Sequence, residues 1–392
     1  MNDRTIEKGA LMSAGVDALR RGDAATARAS FERVIGTGAA DAVAFVGLAY
    51  ACRALGDGAG VLAAAERALA LEPRNPRALV LKADQLAAGG DDRAASSFYL
   101  AATRAAAAIE QMPADLRDEI SRAQAACNRY AATFEEFLRD QVGRNALERP
   151  SGARFAESIE ILVGRKAPNV QRPRYYFFPG LAAVPFHDRA AFPFLDAVEA
   201  ATGQIRAELL QVLTDDAAFE PYIKSDPGRP RREQAGLLDN PAWGAFYLWK
   251  DGERIEKNAA RCPDTMRALG QVPLCRVTNR SPSVLFSLLA PGAHIPPHTG
   301  MVNTRLICHL PLIVPGPCTF RVGNETREWV EGKAWVFDDT IEHEAWNPTA
   351  STRVILLFEI WRPDLTAEER ALVDAMFAAI DAHSGQKPAW EI

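Results

Sequence analysis

The sequence predicts an α+β multidomain chain: an all-α repeat array first, then an antiparallel β barrel with flanking helices. Three observations carry this. Residues 10–110 are rich in alanine and nearly free of tryptophan and proline, whereas aromatic, proline and β-branched residues rise after Pro150. The first part repeats itself with a 34-residue period. The second part, from Val284 onward, breaks into short strand-like runs separated by turn residues. At 392 residues the chain also exceeds what one hydrophobic core usually serves.

The bulk properties exclude several classes. With 48% hydrophobic and 24% charged residues, the composition is that of an ordinary globular protein. A net charge of −5 offers no basic face for nucleic acid. The first residues, MNDRTIEKGALMSAGV, carry an early acid and no long apolar core, so they do not read as a signal peptide. The strongest apolar run near the C-terminus, VILLFEIW at 354–361, is too short to span a bilayer and holds a charge. No integral membrane association is expected. Cysteines 52, 127, 262, 275, 308 and 318 show no CxxC pairing. They fit reduced thiols and a cytoplasmic location better than a zinc site or a disulfide scaffold.

The repeat is read from Gly22-Asp23, Gly56-Asp57 and Gly90-Asp91. Ala29, Ala63 and Ser97 keep the register as small residues, and Phe31, Ala65 and Tyr99 follow two places later. Ala49 matches Ala83 in the other helix of each pair, and Pro73 and Pro76 fall where one pair stops and the next begins. This period, with small residues at helix crossings, is that of tetratricopeptide (TPR) repeats over about residues 10–105. Each helix pair lays its apolar face on the next. Residues 104–145 continue as helix, with Ile109, Met112, Leu116, Ile120, Phe134, Phe137 and Leu138 at helical spacing, and cap the stack. The expected domains are therefore a repeat unit over 1–147, a linker over 148–174 containing GRKAPNVQRPR, and a β domain over 175–392.

Within the β domain, helical patterns cover about 191–215 and 257–270. Seven strand candidates then follow: SVLFSLLA, NTRLICHLPLIV, CTFRVG, TREWVE, KAWVFDD, HEAWN and TRVILLFEIW. Strand alternation puts Arg305, Ile307, His309 and Pro311 on one face and Leu306, Cys308 and Leu310 on the other. It likewise groups Arg353, Ile355, Leu357 and Glu359 against Val354, Leu356, Phe358 and Ile360. Arg305, His309 and Arg353 then point into a restricted interior. Buried positive charge needs a partner, either a protein carboxylate or an anionic ligand.

The word HIPPHTG, at 294–300, concentrates two of the chain's six histidines. The prolines fix two φ angles, so His298 is presented from a stiff segment. His343 begins another strand after the turn FDDTIE, and Arg353 lies ten residues on. Imidazole suits iron, copper, zinc and nickel. His294 reads as a loop histidine, and Asp338 and Asp339 as turn formers.

The words PGAHIPPHTG, NTRLICHLPLIVP, NETREWVEGKAWVFDDTIEHEAWN and STRVILLFEIWRPDL resemble the aspartyl/asparaginyl β-hydroxylase family, a branch of the iron(II)- and 2-oxoglutarate-dependent oxygenases. Upstream, YYFFPGL, PFHDRAAFPFL and W-x-x-x-Y-L-W-K-D-G extend the resemblance to roughly 175–365. It implies a double-stranded β-helix (a jelly-roll or cupin-like barrel). It implies Fe(II), 2-oxoglutarate as co-substrate, and O2. It places the two iron-ligating histidines on His298 and His343, and the co-substrate contacts on Ser287, His309 and the carboxylate-clamping Arg353. Arg305 matches another basic residue of the same strand. Some family members carry a second arginine where this chain has Ile307, and Arg305 is expected to compensate.

The common facial triad adds an acid to two histidines, usually in a His-x-Asp word. Here residue 300 is glycine. The resembled family also has glycine there and uses water as the ligand. The implied reaction is hydroxylation of an unactivated carbon, first of all the β-carbon of Asp or Asn in a protein or peptide that the repeats recruit. A related branch acts on lipid acyl chains, and a small amino acid is a third choice. Halogenation, with chloride beside Gly300, is a variant. Rival classes are a binding scaffold with an inactive barrel and a zinc or manganese cupin-like hydrolase, which needs three or four protein ligands.

Overall fold

The computed structural model describes residues 3–38, 40–149, 152–215, 217–225 and 236–384. The chain divides into two compact units, Met1–Lys166 and Ala167–Ile392.

The first unit is a run of antiparallel helices: α1 (Asp3–Arg20), α2 (Ala24–Gly36), α3 (Ala42–Ala54), α4 (Gly58–Leu71), α5 (Pro76–Ala88), α6 (Asp92–Ala106), α7 (Ala114–Val142), α8 (Arg144–Leu147) and α9 (Ala153–Leu162). The Gly-Asp pairs explain the period physically. Gly22, Gly56 and Gly90 adopt φ of 78°, 73° and 81°, a left-handed conformation that only glycine enters without strain. In each case the following Asp N–H reaches back to a carbonyl five residues earlier, closing the first helix: Asp23 to Ala18, Asp57 to Cys52 and Asp91 to Leu86. The same Asp then caps the next helix, accepting from the N–H of Thr26, Gly60 or Ala94.

Behind each cap, equivalent positions are buried: Ala27, Val61 and Ala95; Phe31, Ala65 and Tyr99; Val34, Ala68 and Ala102. This is TPR-type stacking. Ala29, Ala63 and Ser97 do not serve as crossing residues, because all three lie on the exposed face. The close approach falls instead at Gly15 and Gly47, where the Phe31 ring fills the space a Cβ would take. The helical pattern over 104–145 is interrupted: Ile109 and Met112 sit in the connection between α6 and α7. Leu116 is buried, whereas Phe134 and Phe137 are exposed. Part of the expected linker, moreover, is α9.

The second unit is built on two antiparallel sheets. The strands are β1 (Glu220–Pro221), β2 (Trp243–Lys250), β3 (Glu253–Arg254), β4 (Val284–Leu289), β5 (His294–His298), β6 (Arg305–Ile313), β7 (Thr319–Val322), β8 (Glu325–Glu328), β9 (Trp335–Phe337), β10 (His343–Trp346) and β11 (Arg353–Trp361). One sheet runs β1-β2-β4-β11-β6-β9, with β3 on β2; the other runs β5-β10-β7-β8. From β4 to β11 the chain passes back and forth between two facing sheets, with β7 and β8 paired as a hairpin in the second, the double-stranded β-helix.

All seven expected strands form, and β1, β2, β3 and β5 are added. β2 was obscured because six of its eight residues are buried, leaving no period-two signal. β5 is the HIPPH word itself. It tolerates two prolines because it lies at a sheet edge. The expected helix over 191–215 is divided into α10 (Leu195–Ala200) and α11 (Thr202–Val212). That over 257–270 is divided into α12 (Glu256–Ala259) and α13 (Pro263–Ala268) by Pro263. A last helix, α14 (Ala367–Ser384), packs Val373 and Phe377 against Met301 and Val302.

Alternation sorts the two long strands as expected. Leu306, Cys308, Leu310, Val354, Leu356, Phe358 and Ile360 join Ile205, Leu209 and Val212 in the core under the helices. Arg305, Ile307, His309, Arg353, Ile355, Leu357 and Glu359 line a cavity between the sheets. No helix among the described residues is long and apolar enough to cross a membrane.

Candidate functional site

Antiparallel pairing of β5 with β10 sets His343 directly opposite His298, with a bulge after His343. The two rings lie 4.1 Å apart, centroid to centroid. Each ring is oriented by its own turn: His298 Nδ1 lies 2.8 Å from the Pro296 carbonyl, and His343 Nδ1 lies 3.0 Å from the Ile341 carbonyl. A carbonyl only accepts, so Nδ1 is the protonated nitrogen and Nε2 keeps its lone pair. That is the arrangement of a metal-ligating histidine. Burial holds His298 down to about 4 and His343 well below its ordinary range, so both rings are neutral at pH 7. Among the described residues, no third His, Cys, Asp or Glu joins them in a group that could hold a metal.

The other sheet supplies the cavity's cations. Arg353, 1% exposed, donates to the Ser287 carbonyl at 3.3 Å and lies over the Trp329 ring at 4.6 Å. Among the described residues it faces no carboxylate and its Nε has no hydrogen-bond partner, and burial pulls it down to about 10. The Ser287 hydroxyl is held by the Trp243 indole N–H at 3.3 Å. His309 is packed among Phe320, Phe337 and Trp329, with Nδ1 unpartnered, and burial beside Arg353 keeps it neutral.

Arg305 corrects an expectation. Its guanidinium meets Asp339 at 2.9 Å and Glu359 at 3.2 Å, both buried. Protein carboxylates, rather than a ligand, offset its charge. Ile307 pairs with Phe337 and joins the apolar lining.

Asp339, read from sequence as a turn former, belongs to the site. The Gly300 N–H donates to its backbone carbonyl at 2.7 Å. A Cβ at Gly300 would sit 2.7 Å from its Oδ1 and closer still to Oδ2. The glycine is therefore steric in origin: it makes room for a carboxylate arriving from the turn between β9 and β10. Burial raises Asp339 to about 6; the pull of Arg305 is outweighed once Asp338 and Glu359 add negative charge. Asp338 keeps its turn role, accepting from the Thr340 N–H at 3.0 Å. His294 lies outside the cavity, stacked on Trp346 and 3.1 Å from Glu344. Tyr222, stacked on Trp243 at 4.1 Å, and Tyr247 extend the wall beside His298. Composition had marked none of these aromatics, although Trp243 opens one of the matched words.

The cavity measures about 90 Å³. At roughly 10–15 Å³ per water, it has room for several waters or one small dicarboxylate.

The fold and site define the class: TPR-type repeats followed by a double-stranded β-helix carrying a two-histidine pocket. Residues 199–363 match the family model described as aspartyl/asparaginyl β-hydroxylase. The human aspartyl/asparaginyl β-hydroxylase is 37% identical over 145 residues, which cover 37% of this chain and 19% of that protein. The ornithine lipid ester-linked acyl 2-hydroxylase of Rhizobium tropici is 36% identical over 184 residues, 46% of this chain and 61% of the relative. The chain thus spans less than two thirds of either. Among solved structures, the TPR2B domain of yeast Sti1 in complex with an Hsp70 peptide aligns at 18% identity and a TM-score of 0.28, covering 31% of this chain and 98% of that domain.

Proposed function

We propose that the chain is an Fe(II)- and 2-oxoglutarate-dependent dioxygenase that hydroxylates an unactivated carbon. One observation carries the reading. A buried arginine without a counter-charge, Arg353, faces the same small cavity as two neutral imidazoles whose Nδ1 atoms are already engaged. A carboxylate ligand would relieve the first, and a divalent metal would use the second.

His298 and His343 would hold the iron. Arg353, with Ser287 and His309 beside it, would hold the far carboxylate of 2-oxoglutarate. Iron, co-substrate and O2 together supply the oxidising power, 2-oxoglutarate leaving as succinate and CO2 while the substrate gains a hydroxyl. The protein's own residues orient and exclude. Pro296 and Ile341 fix the imidazole tautomers. Trp243 aims the Ser287 hydroxyl, and Phe320, Trp329 and Phe337 keep water from the arginine. Arg305 holds Asp339 against Gly300, in the same cavity as the two histidines that would hold the iron. A negative charge there also disfavours chloride, so hydroxylation is favoured over halogenation.

The substrate reading is the β-carbon of Asp or Asn in a protein or peptide recruited by the repeats. The named activity of the human relative supports it. A second reading, an acyl chain, follows the name of the Rhizobium relative and the apolar wall of Tyr222, Trp243, Ile295, Met301 and Leu357. Six free thiols, five of them buried, suit a reducing cytoplasm.

The deciding experiment needs no substrate. Apo-protein mixed anaerobically with Fe(II) and 2-oxoglutarate should develop the weak visible charge-transfer band of the chelate, and His298→Ala and His343→Ala should each lose it. A wild-type protein that binds Fe(II) without a 2-oxoglutarate-dependent band would overturn the proposal.

A further inference from the structure

The segment from Ala167 to His187 is not a passive connection. It runs in extended form along the barrel, tied to backbone and side chains of the loops that follow β5 and precede β10. The Arg174 N–H donates to the Gly300 carbonyl at 3.0 Å, and Tyr175 and Tyr176 both donate to Met301. The Arg172 N–H donates to the Thr340 carbonyl at 2.7 Å. Gly300 lies two residues after His298, and Thr340 lies three before His343. The strap therefore grips both loops that carry the paired histidines.

Side chains complete the grip. The Gln171 amide donates to Asp338 Oδ2 at 2.6 Å, and its oxygen accepts from Asn303 Nδ2 at 3.0 Å. Asn303, fully buried, also binds the backbone of Phe178 through both ends of its amide. One glutamine thus spans from the loop of residues 299–304 to the Asp338–Ile341 turn that presents Asp339 and His343. Asp338 is also paired with Arg362 at 2.8 Å, so the turn is not held by Gln171 alone.

We propose that Gln171 is a positioning residue for the site. It acts through Asp338 and Asn303 to set the distance between the two loops, and hence the relation of His298, Asp339 and His343. This rests on the proposed metal role of the histidines. The Gln171 amide also donates to the Ala182 carbonyl at 3.3 Å, within the strap, but the strap needs no bridge between the two loops to stay attached, since its backbone is bonded at Arg172, Arg174, Tyr175 and Tyr176. Removal of a side chain that orients metal ligands indirectly typically weakens metal binding by about 10–100-fold.

The test uses the full chain, with Mn(II) as probe, followed by its electron paramagnetic resonance signal on titration, and with amide hydrogen exchange on the metal-free protein. Gln171→Ala should weaken Mn(II) binding at least about tenfold. It should also speed exchange in both 299–304 and 338–343. Glu208→Ala, which removes the hydrogen bonds tying α11 to the first turn of α13 beside the core under the helices, serves as the destabilised control and should leave Mn(II) affinity unchanged. Affinity within twofold of wild type, or exchange that rises only within the strap, would overturn the proposal. If wild-type protein binds no Mn(II), the metal reading fails, and exchange at the two loops alone decides whether the strap couples them.

Discussion

Gly300→Ala is the substitution that tests the site's construction most directly. The new methyl would lie 2.7 Å from Asp339 Oδ1 and closer to Oδ2, so the carboxylate must move. That carboxylate is buried and its Oδ2 is 2.9 Å from Arg305, so movement also opens a buried ion pair. Overpacking alone costs about 1–3 kcal/mol, and opening a buried pair adds to this. A loss of roughly 2–4 kcal/mol is expected, or about 5–10 °C in Tm for a unit of this size. The six tryptophans among the described residues all lie in the second unit, at or beyond residue 243, so their fluorescence reports the barrel and not the repeats. Adding Asp339→Ala removes the clash, so the double variant should be more stable than the sum of the two singles by at least about 1 kcal/mol. Gly300→Asp, which on paper restores a facial triad, should be worse than alanine because it sets a second carboxylate against the first. A Gly300→Ala barrel that melts with wild type, or strict additivity with Asp339→Ala, would refute the idea that the glycine exists to admit Asp339.

Three further outcomes follow from the same structure. Arg353→Met should stabilise the ligand-free barrel by about 1–4 kcal/mol, since it removes an uncompensated buried charge, yet abolish the Tm rise that 2-oxoglutarate gives with Mn(II); a variant that still responds to 2-oxoglutarate would exclude the clamp. Ligand-free barrel stability, read by urea denaturation, should increase from pH 4 to 6.5. His298, held at about 4, and the lower His343 and His309 bind fewer protons in the native state than in the unfolded one, while Asp339 at about 6 opposes them alone; stability falling across that window would contradict the burial of the imidazoles. Asp57→Ala should cost the repeat unit about 1 kcal/mol by far-ultraviolet circular dichroism, because it removes the α4 cap; an unchanged melt would deny the capping role.

Much of this molecule is legible in the chain because the relevant physics is local. A glycine that turns left and an aspartate that caps are decided within six residues, so the repeat shows as a period. Strand alternation is equally local, which is why the cavity-facing sets on β6 and β11 could be assigned before any partner strand was known. The site residues His298, His343, Arg353, Ser287 and His309 were identified through matched words, and all five do line one cavity.

Tertiary structure alone decided which charges answer which. Arg305 and Arg353 look alike in sequence, each a basic residue opening a buried strand. Folding gives Arg305 two carboxylates, from β11 and from the turn before β10, and gives Arg353 an aromatic ring and no counter-ion. Whether a buried charge is satisfied depends on groups 34 and 54 residues away, which no local pattern encodes. The same holds for Asp339, whose carboxylate reaches the place beside Gly300 from the turn between β9 and β10. It holds too for Gln171, which sits within what composition marks as linker and acts on the site only through the path the folded chain takes across the barrel.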